Sequence, residues 1–491
     1  MPVALNVSSI LSGQGIDVAT LVQQIISQGS GELSVWQGQQ TTFATQDGVI
    51  EGINNSLTNL QTAVAALASP TGALTAQAAT SSQPSVVTAA AQSTAISGTH
   101  QIEVTNLATT GTLYTNSFAA GANTSFLSSG QTSGDIQIQV GGASGATRDI
   151  AVTQGSNDTL TTLASYINTQ GTANGWGVTA SVVSDANGSR LSLQSQASGT
   201  TGALAVAANS NTSLTFAAPV GGTNAALFID SVPFSSSSNT VTGAILGVTL
   251  SLVNQSVTPV QLTVGADTGQ ITSAVNNFVS AYNTVVSTIN TQYVVDPTGA
   301  IPAPPLEGDI SLRSLQSSLL NDVSYAVGGN AGLVNLASMG INLNNDGTLT
   351  VGLTPPDSSN PTKGGQTFAQ VLATNPSAVQ SFFQNASGTG FANMFNADLT
   401  NLTSPTQGPL NVDLTQNQAE QADLTTTINN FESQITLQTT QLTQQYDAVN
   451  ASLQQYPLLL QEITQTLGSL GSGTSGSGAL VSSGPTLTSG L

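Results

Sequence analysis

The sequence predicts an α+β multidomain protein whose terminal helices pair in a coiled-coil or helical-bundle stalk, with β-rich domains inserted between them. Apolar residues recur at every seventh position near both ends of the chain, which is the spacing of a helical seam. Between them, from residue 71 to residue 266, the period changes to two, as in half-buried strands. The candidate seam and assembly residues are Trp36, Phe43, Ile50, Leu57 and Val64 near the N-terminus, and Ile428, Ile435, Leu442, Val449 and Tyr456 near the C-terminus.

The chain begins with a polar segment, residues 1–34, which holds one short amphipathic stretch. We predict a mobile N-terminal arm that becomes ordered when a partner binds it. Residues 35–70 form the first stalk helix, predicted to pair with residues 267–456. Pro70 and Gly72 end the helical pattern.

Two β domains follow. Residues 71–130 and 225–266 are predicted to form an inner β domain, and residues 131–224 an outer β domain with a strand–helix–hairpin module. In that module, Asp158 is the expected N-cap of a helix. The sequence Asp-Ala-Asn-Gly at 185–188 predicts a hairpin tip.

Helical periodicity returns in residues 267–456, the predicted helical stalk domain. The sequence Asn-Asn-Asp-Gly at 344–347 interrupts it with a hairpin signal. Pro457 is expected to end or kink the last long helix. Residues 457–491 then supply a C-terminal helix and a flexible Gly/Ser-rich tail.

The two apolar stripes are the predicted partners of each other, although more than 350 residues separate them in the sequence. An alternative, in which each stripe packs only on neighbouring helices, stays open at this point. Glutamine and threonine stand where coiled coils ordinarily place glutamate and lysine. Salt bridges therefore cannot set the register, and amides such as Gln46 are expected to weaken the pair.

Composition excludes several classes of partner. The 491 residues include 24 acidic and four basic side chains, for a net charge of −20. Nothing in the chain could neutralise phosphates, so neither nucleic acid nor an anionic membrane is an expected partner.

No stretch reaches the roughly 18 apolar residues of a bilayer span. The N-terminus lacks a cleaved-signal pattern, so export would use an uncleaved N-terminus, and a cytosolic location stays open.

We predict no catalytic, cofactor-binding or metal site, and hence no enzyme. One histidine, His100, and no cysteine exclude zinc and thiol chemistry. The carboxylates are sparse and are expected to cap turns. The run from Asn342 to Gly347 begins like a calcium loop, but Leu353 stands where that loop needs glutamate.

Several stretches, in order, resemble the bacterial flagellar filament cap family, also called hook-associated protein 2. Each motif is loose by itself, but their order along the chain is specific. A strand–helix–hairpin stretch at 157–195 is also similar to a module that flagellins and hook-associated proteins share. The stretches that resemble the cap family are SGQGIDVATLVQQIIS (12–27), SGTHQIEVTNLATTGTLYTNSF (97–118), AALFIDSVPFSSSSNTVTGAILGVTLSL (225–252), SMGINLNNDGTLTV (338–351) with FAQVLATNPSAVQSFF (368–383), and QYDAVNASLQQY (445–456).

The resemblance implies a secreted protein at the distal tip of the filament, where a homo-oligomeric, pentamer-like ring promotes the folding and insertion of exported flagellin. It implies flagellin, the hook-associated junction proteins and the flagellar type III export apparatus as partners. It implies neither a cofactor nor insertion into a membrane.

Two alternatives remain. A secreted adhesin or surface-layer protein could use the β domains to bind glycans, and it would need neither paired terminal helices nor a type III signal. A hook–filament junction protein would share the composition and the export route, but it would lack the block from NNDGTL (344–349) to NPSAVQSFF (375–383).

Overall fold

The computed structural model describes residues 17–471 except 143–144, 295, 301, 331, 357–363 and 386. The chain divides into two compact units. The first contains the described residues of Met1–Thr58, Val285–Leu319 and Leu399–Leu491, and the second those of Asn59–Thr284 and Leu320–Asp398. The fold is α+β, as the sequence predicted. The helices are α1 (Val18–Gly29), α2 (Gly31–Ala68), α3 (Leu160–Asn174), α4 (Thr268–Thr291), α5 (Ile310–Val323), α6 (Phe368–Thr374), α7 (Pro376–Phe383), α8 (Phe391–Leu402) and α9 (Pro409–Gly471).

The strands belong to three groups. Two groups form β modules, here called inner and outer, and the third is a single hairpin. The strands are β1 (Gln77–Ser81), β2 (Val87–Ala91), β3 (Gly98–Asn106), β4 (Thr110–Tyr114), β5 (Ser133–Val140), β6 (Ala146–Thr153), β7 (Val178–Asp185), β8 (Gly188–Ser198), β9 (Leu204–Ser210), β10 (Ala225–Ile229), β11 (Val232–Ser236), β12 (Thr240–Ile245), β13 (Val248–Leu252), β14 (Val260–Ala266), β15 (Ile341–Leu343) and β16 (Leu349–Val351).

The inner β module combines an antiparallel sheet of order β1-β14-β3-β10-β11 with a sheet of order β12-β13-β2. Alternating apolar residues of both sheets fill one core, which includes Val104, Leu227 and Leu250. The single histidine belongs to β3, and its Nδ1 lies 2.8 Å from the carboxylate of Asp230 in the β10–β11 turn. The backbone N–H of Gln101 donates to the same carboxylate, and both bonds lower the pKa of Asp230. His100 therefore fastens a turn to a strand.

The outer β module packs α3 against sheets of order β4-β8-β7 and β6-β5-β9. The expected boundary at residue 131 is wrong, because Leu113 and Phe126 are buried in the outer core. Strand β4 pairs with β8, which follows it by about 80 residues, so non-local pairing places it in this module. The first turn of α3 also differs from expectation, since Thr159 caps it through a hydrogen bond from the backbone N–H of Thr162.

A helical core lies in the second unit beside the β modules. Phe278 and Tyr282 of α4 contact Phe395 of α8 with ring centroids 6.1 and 6.5 Å apart. The predicted hairpin signal is confirmed, since β15 and β16 pair across the Asn-Asp-Gly turn. Asn283 of α4 holds that hairpin, accepting a hydrogen bond from the N–H of Leu349 and donating one to its carbonyl.

The last helix, α9, continues from Pro409 to Gly471 with Pro457 inside it. The helix therefore does not end at Pro457. Proline removes one backbone donor and crowds the preceding turn, but leucine, glutamine and glutamate flank it, and these residues favour helix. Residues 472–491, which include most of the predicted Gly/Ser-rich tail, lie outside the described residues.

Candidate functional site

Helices α2 and α9 pack side by side in the first unit, and they run antiparallel. The ring of Trp36 meets the ring of Phe431 edge to face, with centroids 5.2 Å apart. Further along α2, Asn54 donates to Asn411 over 2.8 Å. As residue numbers rise along α2, those of the facing residues fall along α9. The contacts between α2 and α9 therefore extend over 36–54 and 411–431, a range that includes Ile428 of the predicted C-terminal stripe.

The N-terminal seam residues become more deeply buried along α2. Trp36 and Phe43 are half-buried, whereas Ile50, Leu57 and Val64 are at most 1% exposed. Val64 belongs to the second unit, beyond the segment that pairs with α9. The predicted heptad positions of α2 are thus all half-buried or buried, and they are divided between the two units.

The C-terminal seam residues follow the opposite trend along α9. Ile428 is buried, Ile435 and Leu442 are half-buried, and Val449 and Tyr456 are 48% and 62% exposed. The expectation that Val449 and Tyr456 pack against the N-terminal stripe is therefore wrong. Helix α2 begins at residue 31, so its antiparallel contact with α9 ends near residue 435.

Helix α1 packs against α9 and buries Val18, Leu21 and Val22. Asp17 caps it, accepting hydrogen bonds from the backbone N–H of Thr20 over 3.1 Å and from its hydroxyl over 2.7 Å. Both bonds lower the pKa of Asp17. Residues 17–29 of the predicted mobile arm are therefore helical and packed, while residues 1–16 lie outside the described residues.

A row of hydrogen bonds between uncharged amides, hydroxyls and one carboxylate crosses the α2–α9 seam, and we call it the amide ladder. Its members on α2 are seven residues apart, at 40, 47 and 54. The ladder consists of Gln40 donating to Thr425 (2.8 Å), Asn417 and Gln421 donating to Asp47 (3.1 and 2.5 Å), and Asn54 donating to Asn411 (2.8 Å).

Sequence reasoning missed the amide ladder, because it treated polar residues near the seam as weakening. The heptad spacing of Gln40, Asp47 and Asn54 was the available signal. Gln46, which was expected to weaken the pair, instead donates to the carbonyl of Pro305 over 2.9 Å. Gln40, Gln46, Asp47 and Asn54 of α2 thus have defined partners in the first unit.

The end of α9 carries an exposed continuation of the seam. Tyr456, Leu460, Ile463 and Leu467 are spaced four, three and four residues apart, and they are 47–63% exposed. Glu462 is the single charged residue between 457 and 471. A helix with an exposed apolar stripe and little charge is suited to docking against another helix rather than to chemistry.

Among the described residues, no acidic or histidine cluster could hold a metal ion, and no helix is long and apolar enough to cross a bilayer.

Known protein families match both the N-terminal and the C-terminal part of this chain. Residues 14–111 match the family described as flagellar hook-associated protein 2 N-terminus, and residues 222–457 match flagellar hook-associated protein 2 C-terminus. B-type flagellar hook-associated protein 2 of Pseudomonas aeruginosa is 30% identical over 364 residues, which cover 68% of this chain and 74% of the relative. The chain belongs to the flagellar hook-associated protein 2 family. A second relative, flagellar hook-associated protein 2 of Escherichia coli K12, is 27% identical over 70% of this chain and 75% of its own.

A solved structure supports the same family. The crystal structure of the D1-D2-D3 domains of the flagellar cap protein FliD from Escherichia coli aligns with a TM-score of 0.55 and 25% identity, over 75% of this chain and 99% of that one. The hook-associated protein 2 matches leave out residues 112–221. That gap coincides with the outer β module, which agrees with a module boundary near residue 110 rather than 131.

Proposed function

We propose that this protein caps the distal tip of the bacterial flagellar filament as an oligomeric ring and promotes the folding and insertion of exported flagellin. The observation that carries the proposal is the ordered match to both halves of the hook-associated protein 2 family. The fold shared with a flagellar cap protein supports it as well. The role requires binding and no covalent chemistry, so we propose a structural protein and not an enzyme.

We propose a division of labour between the parts of the chain. The terminal helices α1, α2 and α9 form the stalk, and the exposed seam at the end of α9 docks against helices of flagellin and of the junction proteins. The inner and outer β modules make the contacts between subunits of the ring, which would be pentamer-like. The flagellar type III export apparatus would deliver the chain to the tip.

The exposed seam suits reversible docking. Burying an aliphatic or aromatic side chain contributes about 1.5–3 kcal/mol, and Tyr456, Leu460, Ile463 and Leu467 are each about half exposed already. Their combined gain is thus on the order of 4 kcal/mol, while association itself costs several kcal/mol. Docking of one seam is therefore weak, which suits a cap that must shift as each flagellin is added.

The first test is localisation. Immunogold labelling of intact cells with an antibody against the outer β module should mark filament tips. Label spread over the cell envelope would contradict the proposal. It would favour the adhesin alternative, to which the relatives found above lend no support.

The second test addresses the seam in a strain whose own cap gene is deleted. The Leu460→Asp, Leu467→Asp variant should not restore filament growth, because two carboxylates would face the docked helix. A control with Gln461→Asp and Gln465→Asp adds the same charge to the same stretch of α9 without removing an apolar side chain. Equal filament lengths for both variants would contradict the proposed role of the seam.

A further inference from the structure

In the described part of the chain, the carboxylate at the centre of the amide ladder accepts its side-chain hydrogen bonds from two amides. Asp47 is half-buried between α2 and α9, and its two oxygens accept one hydrogen bond each, from Asn417 over 3.1 Å and from Gln421 over 2.5 Å. The two donors are four residues apart on α9, so they project from the same face of the helix. The two amides of α9 therefore form a site that is complementary to one carboxylate at one position along the seam.

We propose that Asp47 determines the register and the partner of α2, a role that elsewhere falls to interhelical salt bridges. A single polar residue in an apolar seam fixes register by making the wrong alignments costly. If α9 slides by one heptad in one direction, Leu424 and Ile428 replace the two amides; in the other direction, Leu410 and Leu414 replace them. Either slide places the carboxylate against two aliphatic side chains.

The apolar stripes alone do not make this choice. A heptad seam repeats after seven residues, so a slide of one heptad again brings apolar positions face to face. Asp47 and Gln421 are separated by 374 residues, so no short loop joins α2 directly to α9. The other hydrogen bonds of the amide ladder distinguish the observed register from a slide of one heptad less strongly. A slide would place Gln40 opposite Gln418 or Glu432, and both of these are polar.

The same constraint selects partners. A helix that takes the place of α9 must present two hydrogen-bond donors four residues apart where Asp47 faces it, so an ordinary leucine seam is rejected. Register also positions the free end of α9, since a slide of seven residues moves it by about 10 Å along the axis. The inference concerns the pair within one chain, and it stands or falls independently of the proposed function.

Cysteine cross-linking tests the proposal in the full chain, which has no native cysteine. The pair Gln40→Cys and Thr425→Cys reports the observed register, because these side chains lie 2.8 Å apart. The pairs of Gln40→Cys with Gln418→Cys and with Glu432→Cys report slides of one heptad. Each protein is refolded from denaturant and treated with a short thiol cross-linker. Denaturing electrophoresis separates links within a chain from links between chains by the size of the product, and peptide mapping identifies the two linked positions.

The decisive variant is Asp47→Leu. We expect at least a twofold loss of the 40–425 link, with links at 418 or 432, or between chains, appearing in its place. Asp47→Asn retains a polar group and should keep the 40–425 link. The control Glu51→Leu removes an acid of the same helix at an exposed position, and it should also keep the link.

An unchanged yield of the 40–425 link in Asp47→Leu, with no shifted link, would overturn the proposal. If Asp47→Leu does not recover its helical circular dichroism, the variant Asn417→Leu, Gln421→Leu takes its place. That variant puts leucines opposite Asp47 in the observed register too, so the preference for the 40–425 link should disappear. Retention of the link in that variant would overturn the proposal equally.

Discussion

Leu57→Ala should destabilise the helical part of the molecule by about 3 kcal/mol. Leu57 is fully buried on α2, with 0% of its surface exposed. The substitution removes three carbons, which are worth about 0.8 kcal/mol each on transfer from water. The cavity left behind adds a further penalty, and buried leucine-to-alanine changes cost about 2–5 kcal/mol in total. The expected loss is therefore larger than any effect of helix propensity.

Leu437→Ala is the matched control for this prediction. Leu437 is on α9 and is 63% exposed, so the same chemical change there removes little buried surface. Surface substitutions of this kind change stability by about 0.5 kcal/mol or less. The two variants also make the same small change in helix propensity. The difference between them isolates the burial of Leu57.

Urea unfolding, followed by ellipticity at 222 nm, measures both variants. Most of the described helix belongs to α2, α4 and α9, so this signal reports on the helical regions more than on the β modules. The midpoint of the main helical transition should fall clearly for Leu57→Ala and remain near that of the parent protein for Leu437→Ala. Equal midpoints for the two variants would refute the argument that the heptad position of Leu57 is a core position.

Two further perturbations have expected outcomes. Burial, together with the neighbouring carboxylate of Asp398, raises the pKa of Asp322 to about 8. The folded state then holds a proton that the unfolded state releases near pH 4, so the free energy of unfolding should fall as the pH rises from about 4 to about 8. Urea titrations at several pH values should show a smaller fall in Asp322→Asn, and parallel curves would contradict this cause. Trp36→Ala and Phe431→Ala should each destabilise the α2–α9 pair, and a double-mutant cycle should give a coupling of about 0.5–1.5 kcal/mol for their edge-to-face contact. Additive effects would mean that the two rings contribute independently.

The sequence predicted those features that depend on residues close together in the chain. The change of period separated helices from strands, and both Gly-containing turns, at 185–188 and 344–347, proved to be hairpins. Features that depend on distant pairing were predicted less well. Strand β4 follows the inner module in the sequence, so it was assigned there, although its partner β8 belongs to the outer module. No local sequence pattern shows whether β4 belongs to the inner or to the outer module.

The terminal helices also depend on contacts between residues that are far apart in the chain. Residues 17–29 look too short to form a stable helix alone, and they fold because α9 supplies an apolar surface. The exposure of Val449 and Tyr456 follows from where α2 begins, which the heptad pattern of α9 does not encode. The amide ladder required knowledge of register as well. The hydrogen bonds of Gln40, Asp47 and Asn54 can be predicted only when the residues opposite them on α9 are known.

The use of amides in the seam follows from the composition of the chain. Four basic residues cannot partner 24 acidic ones, so carboxylates such as Asp47 have to find neutral donors. Hydrogen bonds between amides and hydroxyls involve no net charges, and added salt therefore screens them far less than it screens surface ion pairs. They are also directional, so they distinguish one alignment of two helices from another. A charge-poor seam can thus be selective for its partner, and its selectivity depends less on ionic strength than that of a seam held by surface ion pairs.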